Sequence, residues 1–441
     1  MLARTLGNDS LRAGGGTGGF ERRPRGRLAA LGVAWIAAAF LAAGMAAAVE
    51  IADHELSGRL ALEGRWYYQD GDHPGQESHA GGFVFEPNLY VEDAEGRSLT
   101  VAPFFRYDAA DSRRTHADVR EAYLLLLGEI GDGEWELRLG ADRVFWGVAE
   151  SRHLVDIVNQ IDLIEHPNEE AKLGQPMAHL TWSGDSGVVE LFALTYHRER
   201  TYPGRAGRLR SRFVVDDEQV SYESAAAEWH VDLAARYSHS LGPLDFGVSI
   251  FDGTSREPCL ACLPPRLDER GELLLLPYYE QIRQFGVDAQ LTIESWLLKL
   301  EAIHRAGARN QAGMEQDYAA FVAGGEYTFN GIFDSDADLS LLAEWNYDGR
   351  GEKATNIFDN DVFLAARLAL NDVQSTDFVA SVLGDVEHST RSLVVEFNRR
   401  LSDHWSLHIE AVVILDVDKA DLTHYQTRRD SFVELQATYN F

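Results

Sequence analysis

Hydrophobic and polar residues alternate along most of the chain, in segments of about ten residues that are separated by turn-forming residues. Between residues 56 and 68, for example, Leu60 and Leu62 occupy one set of alternate positions, and Arg59 and Glu63 occupy the other. Successive side chains of a β-strand point to opposite faces, so a period of two residues predicts strands that have one apolar and one polar face.

Eighteen segments carry this pattern, and the connections between them alternate between long loops and tight turns, with 388–390 as a short exception among the long ones. This alternation is typical of antiparallel β-barrels. We therefore predict an all-β fold, a transmembrane antiparallel β-barrel of 18 strands, with 16 as the alternative count and both termini in the periplasm. The predicted strands are 56–68, 82–91, 97–108, 118–128, 133–147, 176–183, 187–198, 224–239, 243–252, 278–292, 295–306, 317–329, 336–348, 358–371, 375–387, 391–400, 404–416 and 430–441.

A soluble β-sandwich would also have one apolar face on each strand, but three features favour a membrane barrel. Aromatic residues lie near the ends of the apolar faces, as in the girdles at membrane interfaces. The polar faces repeatedly carry full charges, which a hydrated lumen tolerates and a dry core does not. The last strand ends in Phe441, which resembles the C-terminal assembly signal of bacterial outer-membrane barrels. This resemblance implies that the barrel-assembly machinery recognises Phe441.

The N-terminal region has the composition of a secretory signal. A basic stretch at residues 22–27 precedes an apolar run from Leu28 to Val49, which contains three consecutive alanines at 46–48. We predict that residues 1–48 are a signal peptide with an N-terminal extension and that 49–441 form the barrel. An uncleaved helical anchor is the alternative. Export together with a barrel indicates the outer membrane of a Gram-negative bacterium.

The formal net charge is −30, which argues against nucleic acid as a partner. The expected partners are outer-membrane lipid, lipopolysaccharide and small solutes, and no cofactor or metal is expected. The two cysteines, Cys259 and Cys262, are predicted to form a disulfide, the default in an exported protein. Free thiols and a redox or metal site are the alternatives.

The long connection at residues 148–175 has apolar residues at helical spacing, with acidic residues between them. An apolar stripe on a loop needs a surface to pack against, and the inner wall of a barrel offers one. The hypothesis is a constriction loop that folds inward, whereas the alternative is a helix on top of the barrel or between loops. The candidate residues at the narrow point are Asp156, Asn159, Asp162 and Glu165.

Charged residues at the polar alternate positions are predicted to face the lumen. Arginines predominate on the first strands and glutamates on the last, which would set a field across the pore. Pairing between adjacent strands is the alternative interpretation. The candidate lumen charges are Arg59, Arg65, Arg106, Arg120, Arg138, Glu344 and Glu410.

An arginine cluster in a later loop is unusual in so acidic a chain. Arginine binds phosphate in a bidentate manner, so the cluster is a candidate patch for anions or for the phosphates of lipopolysaccharide. The alternative is internal pairing with acidic loops. The cluster consists of Arg198, Arg200, Arg205, Arg208, Arg210 and Arg212.

The stretch from Gly140 to Gly147, followed by Asp156, Asn159 and Asp162, resembles a motif of poorly characterised porin-like outer-membrane proteins, related in style to alginate-export and phosphate-selective porins. The resemblance covers about 25 residues closely and implies a barrel that translocates a substrate. The predicted function is passive, site-assisted diffusion of small hydrophilic or anionic solutes. An export or assembly partner, or a surface scaffold, is the alternative. An enzyme is not expected, because no histidine lies in a recognisable catalytic motif.

Overall fold

The computed structural model describes residues 51–441, so the predicted signal peptide and extension at residues 1–48 lie outside the described residues. Eighteen antiparallel strands form one closed sheet. This confirms the predicted all-β barrel of 18 strands and excludes the alternative count. The strands are β1 Ile51–Tyr67, β2 His79–Asp93, β3 Ser98–Asp108, β4 His116–Ile130, β5 Gly133–Asp142, β6 Gln175–Gly184, β7 Gly187–Leu194, β8 Asp232–Leu241, β9 Leu244–Thr254, β10 Gln281–Ile293, β11 Trp296–Ala306, β12 Tyr318–Phe329, β13 Asp338–Asp348, β14 Asn360–Ala369, β15 Asp377–Asp385, β16 Arg391–Arg400, β17 Trp405–Asp416 and β18 Phe432–Asn440.

The connections contain only short elements. These are the two- and three-residue strands Val214–Val215, Ser221–Tyr222, Arg266–Leu267, Leu273–Leu275 and Tyr278–Tyr279, the 3₁₀ helices Ala227–Trp229, Ile332–Asp334 and Gly351–Lys353, and the α-helix Leu422–Tyr425. Over the described range, no helix has the length and apolar character needed to cross a membrane.

The barrel closes between its first and last strands. Arg59 of β1 lies opposite Asn440 of β18. Beyond that pair, Gly58 and Phe441 exchange two backbone hydrogen bonds, at 3.0 and 3.1 Å. Gly58 has a φ of +154°, and an added Cβ would lie 2.6 Å from the carbonyl oxygen of Glu86. The close approach of three strands therefore requires glycine at this position.

The strands alternate as the sequence predicts, with apolar residues outside and mostly polar residues inside, apart from apolar inner residues such as Phe192 and Phe251. The outward side chains of Leu62, Leu300 and Leu364 are 55%, 40% and 52% exposed. Aromatic pairs such as Trp345 with Phe321, and Trp405 with Tyr439, lie toward opposite ends of the barrel. An apolar band between two aromatic belts is the outer surface that a lipid bilayer requires of a barrel.

The longest connections, such as 143–174 and 195–231, lie at one end of the barrel, which we call the long-loop rim and which also carries the short hairpin at 386–390. The other end, with most of the tight turns, is the short-turn rim. Three predicted strands are shorter than expected by four residues or more at the long-loop rim. The segment 133–147 ends at Asp142, 187–198 ends at Leu194, and 224–239 begins at Asp232. Their missing residues belong to connections that turn away from the sheet and fold over or into the barrel.

Candidate functional site

The connection between β5 and β6, residues 143–174, folds into the barrel, and we call it the inward segment. Val155 and Val158 are completely buried in an apolar cluster with wall residues such as Phe192 and Phe251. The wall residues of this cluster come from β6 to β12. The inward segment therefore packs against one side of the barrel wall.

The inward segment contains no helix, so the helical expectation for residues 148–175 is wrong. A helix satisfies each backbone N–H with the carbonyl oxygen four residues earlier. In the inward segment, carboxylates of the wall accept hydrogen bonds from several of these N–H groups instead. Because those acceptors lie far away in the chain, the local apolar spacing did not reveal them.

Two wall carboxylates bind the backbone of the inward segment, and we call Glu301 and Glu344 the carboxylate clasp. Glu301 on β11 accepts hydrogen bonds from the amides of Val148 at 2.7 Å and Ala149 at 2.9 Å, and from Val155 at 3.2 Å. Glu344 on β13 is only 2% exposed. It accepts from the amide of Ser151 at 2.8 Å and from its hydroxyl at 2.6 Å, and from the amide of Glu150. Hydrogen bonds to a charged acceptor contribute about 1.5–3 kcal/mol each, so the clasp fixes the far bend of the segment.

Asn159 braces the start and the end of the inward segment. Its Nδ2 donates to the carbonyl oxygens of Asp142 and Leu173, both at 2.9 Å, and its Oδ1 accepts from the amide of Val144. The side chain is 1% exposed. Asn159, predicted at the narrow point, is therefore a structural brace that makes the chain leave β5 after Asp142.

The three predicted constriction acids are all paired with cations. Asp156 lies 3.2 Å from Lys172, Asp162 lies 2.6 Å from Arg120, and Glu165 lies 2.7 Å from Arg106. Burial would raise the pKa of Asp162, but the nearby His116 and Arg120 hold it well below its usual range. Burial raises the pKa of Asp156 despite its lysine partner. These acids attach the segment to the wall and to itself, rather than facing open space.

The remaining predicted lumen charges also lie on the inner face, and all but Glu344 have an oppositely charged residue or a histidine as partner. This arrangement agrees better with the alternative interpretation, in which the charges pair with their neighbours, than with the prediction of a field across the pore. The pairs are Arg59 with Glu86, Arg65 with Glu434, Arg138 with Asp142, and Glu410 with His166, whereas Glu344 belongs to the carboxylate clasp.

The inner wall of β14 to β17 stays largely free of the inward segment. In the part of the chain that the structure describes, only Glu410 of these strands pairs with the segment, through His166 at 2.9 Å. The side chain of Arg367 is 61% exposed on this wall. Glu396 and Val394 are also partly accessible. Sequence analysis did not single out this wall, because the choice of which strands the segment covers depends on its three-dimensional path.

Most of the arginine cluster forms internal ion pairs, as in the alternative interpretation. Arg210 donates to the carbonyl oxygens of Arg205 and Ser211, and Arg212 lies over the ring of Phe213. Neither has a carboxylate within ion-pair distance among residues 51–441. The four pairs in the cluster are Arg198 with Asp118, Arg200 with Glu169, Arg205 with Asp268, and Arg208 with Asp430.

Arg208 connects this loop to the far side of the barrel. It reaches Asp430 at 2.6 Å, the carbonyl oxygen of Gln69 at 3.1 Å, and the ring of Tyr67. Since the loop begins after β7, whereas Tyr67 and Asp430 adjoin β1 and β18, it crosses part of the opening at the long-loop rim. The loop therefore forms a second layer above the inward segment.

A buried arginine holds this second layer to the inward segment. Arg256 donates to the carbonyl oxygen of Val158 at 2.9 Å, to Asp232 at 2.8 Å and to the Nδ1 of His197 at 3.0 Å. Burial and the charge of Arg256 hold the pKa of His197 well below its usual range, so the ring is neutral and accepts this bond. Shortly after Arg256, Cys259 and Cys262 are joined in a disulfide.

Among residues 51–441, two groups of side chains have the spacing of metal ligands: His116 with Asp162 and Glu165, and Asp359 with Asp361 and Asp385. In the first group, both carboxylates already pair with arginines. The second group lies at the long-loop rim beside β14 and β15.

No curated protein matches this sequence. Solved structures similar to the chain include two mutants of the porin of Rhodopseudomonas blastica, each carrying three substitutions. They are 12% and 11% identical, with TM-scores of 0.43 and 0.42, and each comparison covers 88% of this chain and 100% of the porin. The model of a family described as protein of unknown function, DUF1302, matches residues 61–430. With most of its length matched, the chain belongs to the DUF1302 family.

Proposed function

We propose that the protein is a passive outer-membrane channel for small hydrophilic solutes. The observation that carries the proposal is the placement of the inward segment. It is clasped by Glu301 and Glu344 against one part of the wall and leaves the wall of β14 to β17 largely uncovered. A barrel of this strand number is too wide for its own wall side chains to fill. The space beside the segment is the proposed passage.

The lining of the proposed passage is polar, with apolar residues between the charges. Arg367 and Glu396 carry charge, and Asn398 and His408 add hydrogen-bonding groups, whereas Val394 adds an apolar side chain next to Glu396 on the same face. Such a wall offers several weak contacts along a path, which is the arrangement that site-assisted diffusion needs. No energy source is part of this proposal.

Anion selectivity has less support than passage of small hydrophilic solutes in general. The arginines predicted to attract anions are largely neutralised, since Arg65, Arg106 and Arg120 each pair with a carboxylate. Along the uncovered wall, Arg367 is partly balanced by Asp377 at 3.7 Å. We propose no strong preference for anions.

The proposed orientation places the short-turn rim in the periplasm and the long-loop rim outside the cell. This is the usual arrangement of bacterial outer-membrane barrels. It sets Phe441 at the periplasmic side, where the assembly machinery would meet it. It also sets Arg210 and Arg212, the members of the arginine cluster without a carboxylate partner in residues 51–441, near the lipopolysaccharide phosphates.

The function is tested by reconstituting the purified protein in planar lipid bilayers. The channel proposal predicts discrete conductance steps in potassium chloride, with a linear dependence on voltage. A heat-denatured sample is the control. A folded barrel that gives no conductance steps would contradict the channel and favour the alternative of a scaffold or assembly partner.

A further inference from the structure

Three carboxylates converge at the long-loop rim, where β14 begins and β15 ends. Asp359 is the last residue of the connection before β14, Asp361 is the second residue of β14, and Asp385 lies opposite Asp361 in the sheet. One carboxylate oxygen from each lies within 4.8 Å of the others. Like charges at this separation repel one another unless a cation or a proton is present.

Asp361 is the most deeply buried of the three carboxylates. It is 1% exposed, and its Oδ2 is buried without a hydrogen-bond partner. Leaving a buried acceptor unsatisfied costs about 1–3 kcal/mol, and more when the group is charged. This unsatisfied oxygen belongs to a buried carboxylate that lies beside two others, which indicates that a ligand completes the group.

The first group of potential ligands provides an internal comparison. There, Asp162 pairs with Arg120 at 2.6 Å and Glu165 pairs with Arg106 at 2.7 Å. Within residues 51–441, no arginine or lysine lies at ion-pair distance from Asp359, Asp361 or Asp385. Arginines therefore neutralise the carboxylates of the first group, whereas no arginine or lysine of the described residues neutralises those of the second.

The remaining contacts orient the carboxylates, and their one ion-pair partner among the described residues, the His388 ring, balances at most one of the three charges. The Oδ1 of Asp385 accepts from the amides of Glu387 and His388 at 2.7 and 2.8 Å, and its Oδ2 accepts from the His388 ring at 2.9 Å. The Oδ1 of Asp359 accepts from the amide of Asn360 at 2.9 Å. Hydrogen bonds of this kind hold metal-ligating carboxylates in position.

We propose that Asp359, Asp361 and Asp385 bind a hard divalent cation, for which calcium is the probe. Carboxylate oxygens are the ligands that calcium and magnesium prefer, and water fills the positions that the protein does not supply. A bound ion would connect the end of the 349–359 connection to the β15–β16 hairpin. The ion would lie at the long-loop end of the wall of β14 to β17. Its binding does not depend on whether the barrel is a channel.

The test is calorimetric titration of calcium into the purified protein in detergent, after metal is removed with EDTA. We expect one saturable site in the wild type and binding at least about tenfold weaker in Asp361→Asn. The matched control, Asp336→Asn, neutralises an exposed acid in the connection at the short-turn rim and should bind like the wild type. Heat-modifiable gel mobility establishes that each variant is folded.

If Asp361→Asn does not fold, Asp359→Asn serves in its place, because this residue lies in a connection outside the strands. It should show the same loss. Absence of saturable calcium or magnesium binding in the wild type, or wild-type affinity in the folded Asp361→Asn or Asp359→Asn variant, would overturn the proposal. Binding of zinc in preference to calcium at this site would overturn the assignment to a hard cation.

Discussion

The carboxylate of Glu301 accepts a hydrogen bond from the backbone amide of Val148 at 2.7 Å, across 153 residues of sequence. This contact joins the inner wall at β11 to a segment that leaves the sheet after β5. It shows how the inward segment keeps an extended, non-helical path inside the barrel. The space that we propose as the passage lies beside that path.

Removing both carboxylates of the clasp should release the inward segment. In the double variant Glu301→Ala with Glu344→Ala, the amides of Val148, Ala149 and Ser151 lose their acceptors. We predict a several-fold larger single-channel conductance and more frequent current fluctuations in planar bilayers.

The matched control for the clasp is Glu301→Gln with Glu344→Gln, which keeps an acceptor oxygen at each position. We predict that its conductance stays closer to that of the wild type. An unchanged conductance in the alanine variant, with the barrel folded, would show that the clasp does not restrict the passage.

The buried arginine pairs should contribute much more to stability than the exposed ones. Arg106 contacts both Glu63 and Glu165, and its side chain is 7% exposed. Replacing it with methionine removes the nearest cation from two buried carboxylates, which should cost about 3–5 kcal/mol in the free energy of unfolding. Urea unfolding of the protein in detergent measures this cost.

The control for this variant is Arg59→Met. Arg59 pairs with Glu86 but is 44% exposed, so its loss should cost under about 1 kcal/mol. Equal costs for the two variants would contradict the view that the inward segment is held by buried ion pairs.

The general architecture could be predicted from sequence because its signals are local. The period of two residues and the alternation of turn and loop lengths located all 18 strands, including β16 at Arg391–Arg400 with its predicted bounds. Alternation also placed Arg106, Arg120 and Glu344 on the inner face. These assignments need only neighbouring residues along the chain.

The path of the inward segment could not be predicted in the same way. Its apolar spacing at Leu154, Ile157 and Val158 suggested a helix, but the clasp on β11 and β13 takes amides that a helix would use. Nothing in the sequence near Glu301 distinguishes it from other lumen charges. The partners of Asp162 and Glu165 were missed for the same reason, because pairing across the lumen depends on where the segment lies.

The contact between His166 and Glu410 should make stability depend on pH. Burial would lower the pKa of His166, but its hydrogen bond to Glu410 raises the pKa above the usual value. The protonated ring is thus favoured in the folded protein. The stability that the protonated ring adds to the folded protein is fully present below the unfolded pKa of about 6.5. It is lost as the pH rises through the pKa of His166 in the folded protein.

The measurement compares the thermal midpoints of the wild type and His166→Gln across this pH range. We predict that the wild type is more stable below pH 6.5, roughly the unfolded histidine pKa, and that the difference shrinks as the pH rises. A difference that is independent of pH would show that the charge of His166 does not matter.

Charge reversal on the uncovered wall should change ion selectivity. Arg367 is 61% exposed there, so Arg367→Glu should raise the permeability of cations relative to anions. The reversal potential across a potassium chloride gradient measures this ratio. The control Arg270→Glu changes the same charge in an exposed connection and should leave the ratio almost unchanged. Equal shifts in both variants would indicate a general surface effect rather than a passage along β14 to β17.

The central claim is that solutes pass along the wall of β14 to β17 and not along the wall beneath the inward segment. The two native cysteines are joined to each other, so an introduced cysteine is the single free thiol of the described chain. The most direct measurement is the current through Val394→Cys and Ser249→Cys channels during treatment with a charged, thiol-reactive methanethiosulfonate. Val394 lies on the uncovered wall, whereas Ser249 is 5% exposed on the wall that the segment covers. The account predicts that the reagent reduces the current in Val394→Cys and leaves Ser249→Cys unchanged, and a block confined to Ser249→Cys would contradict it.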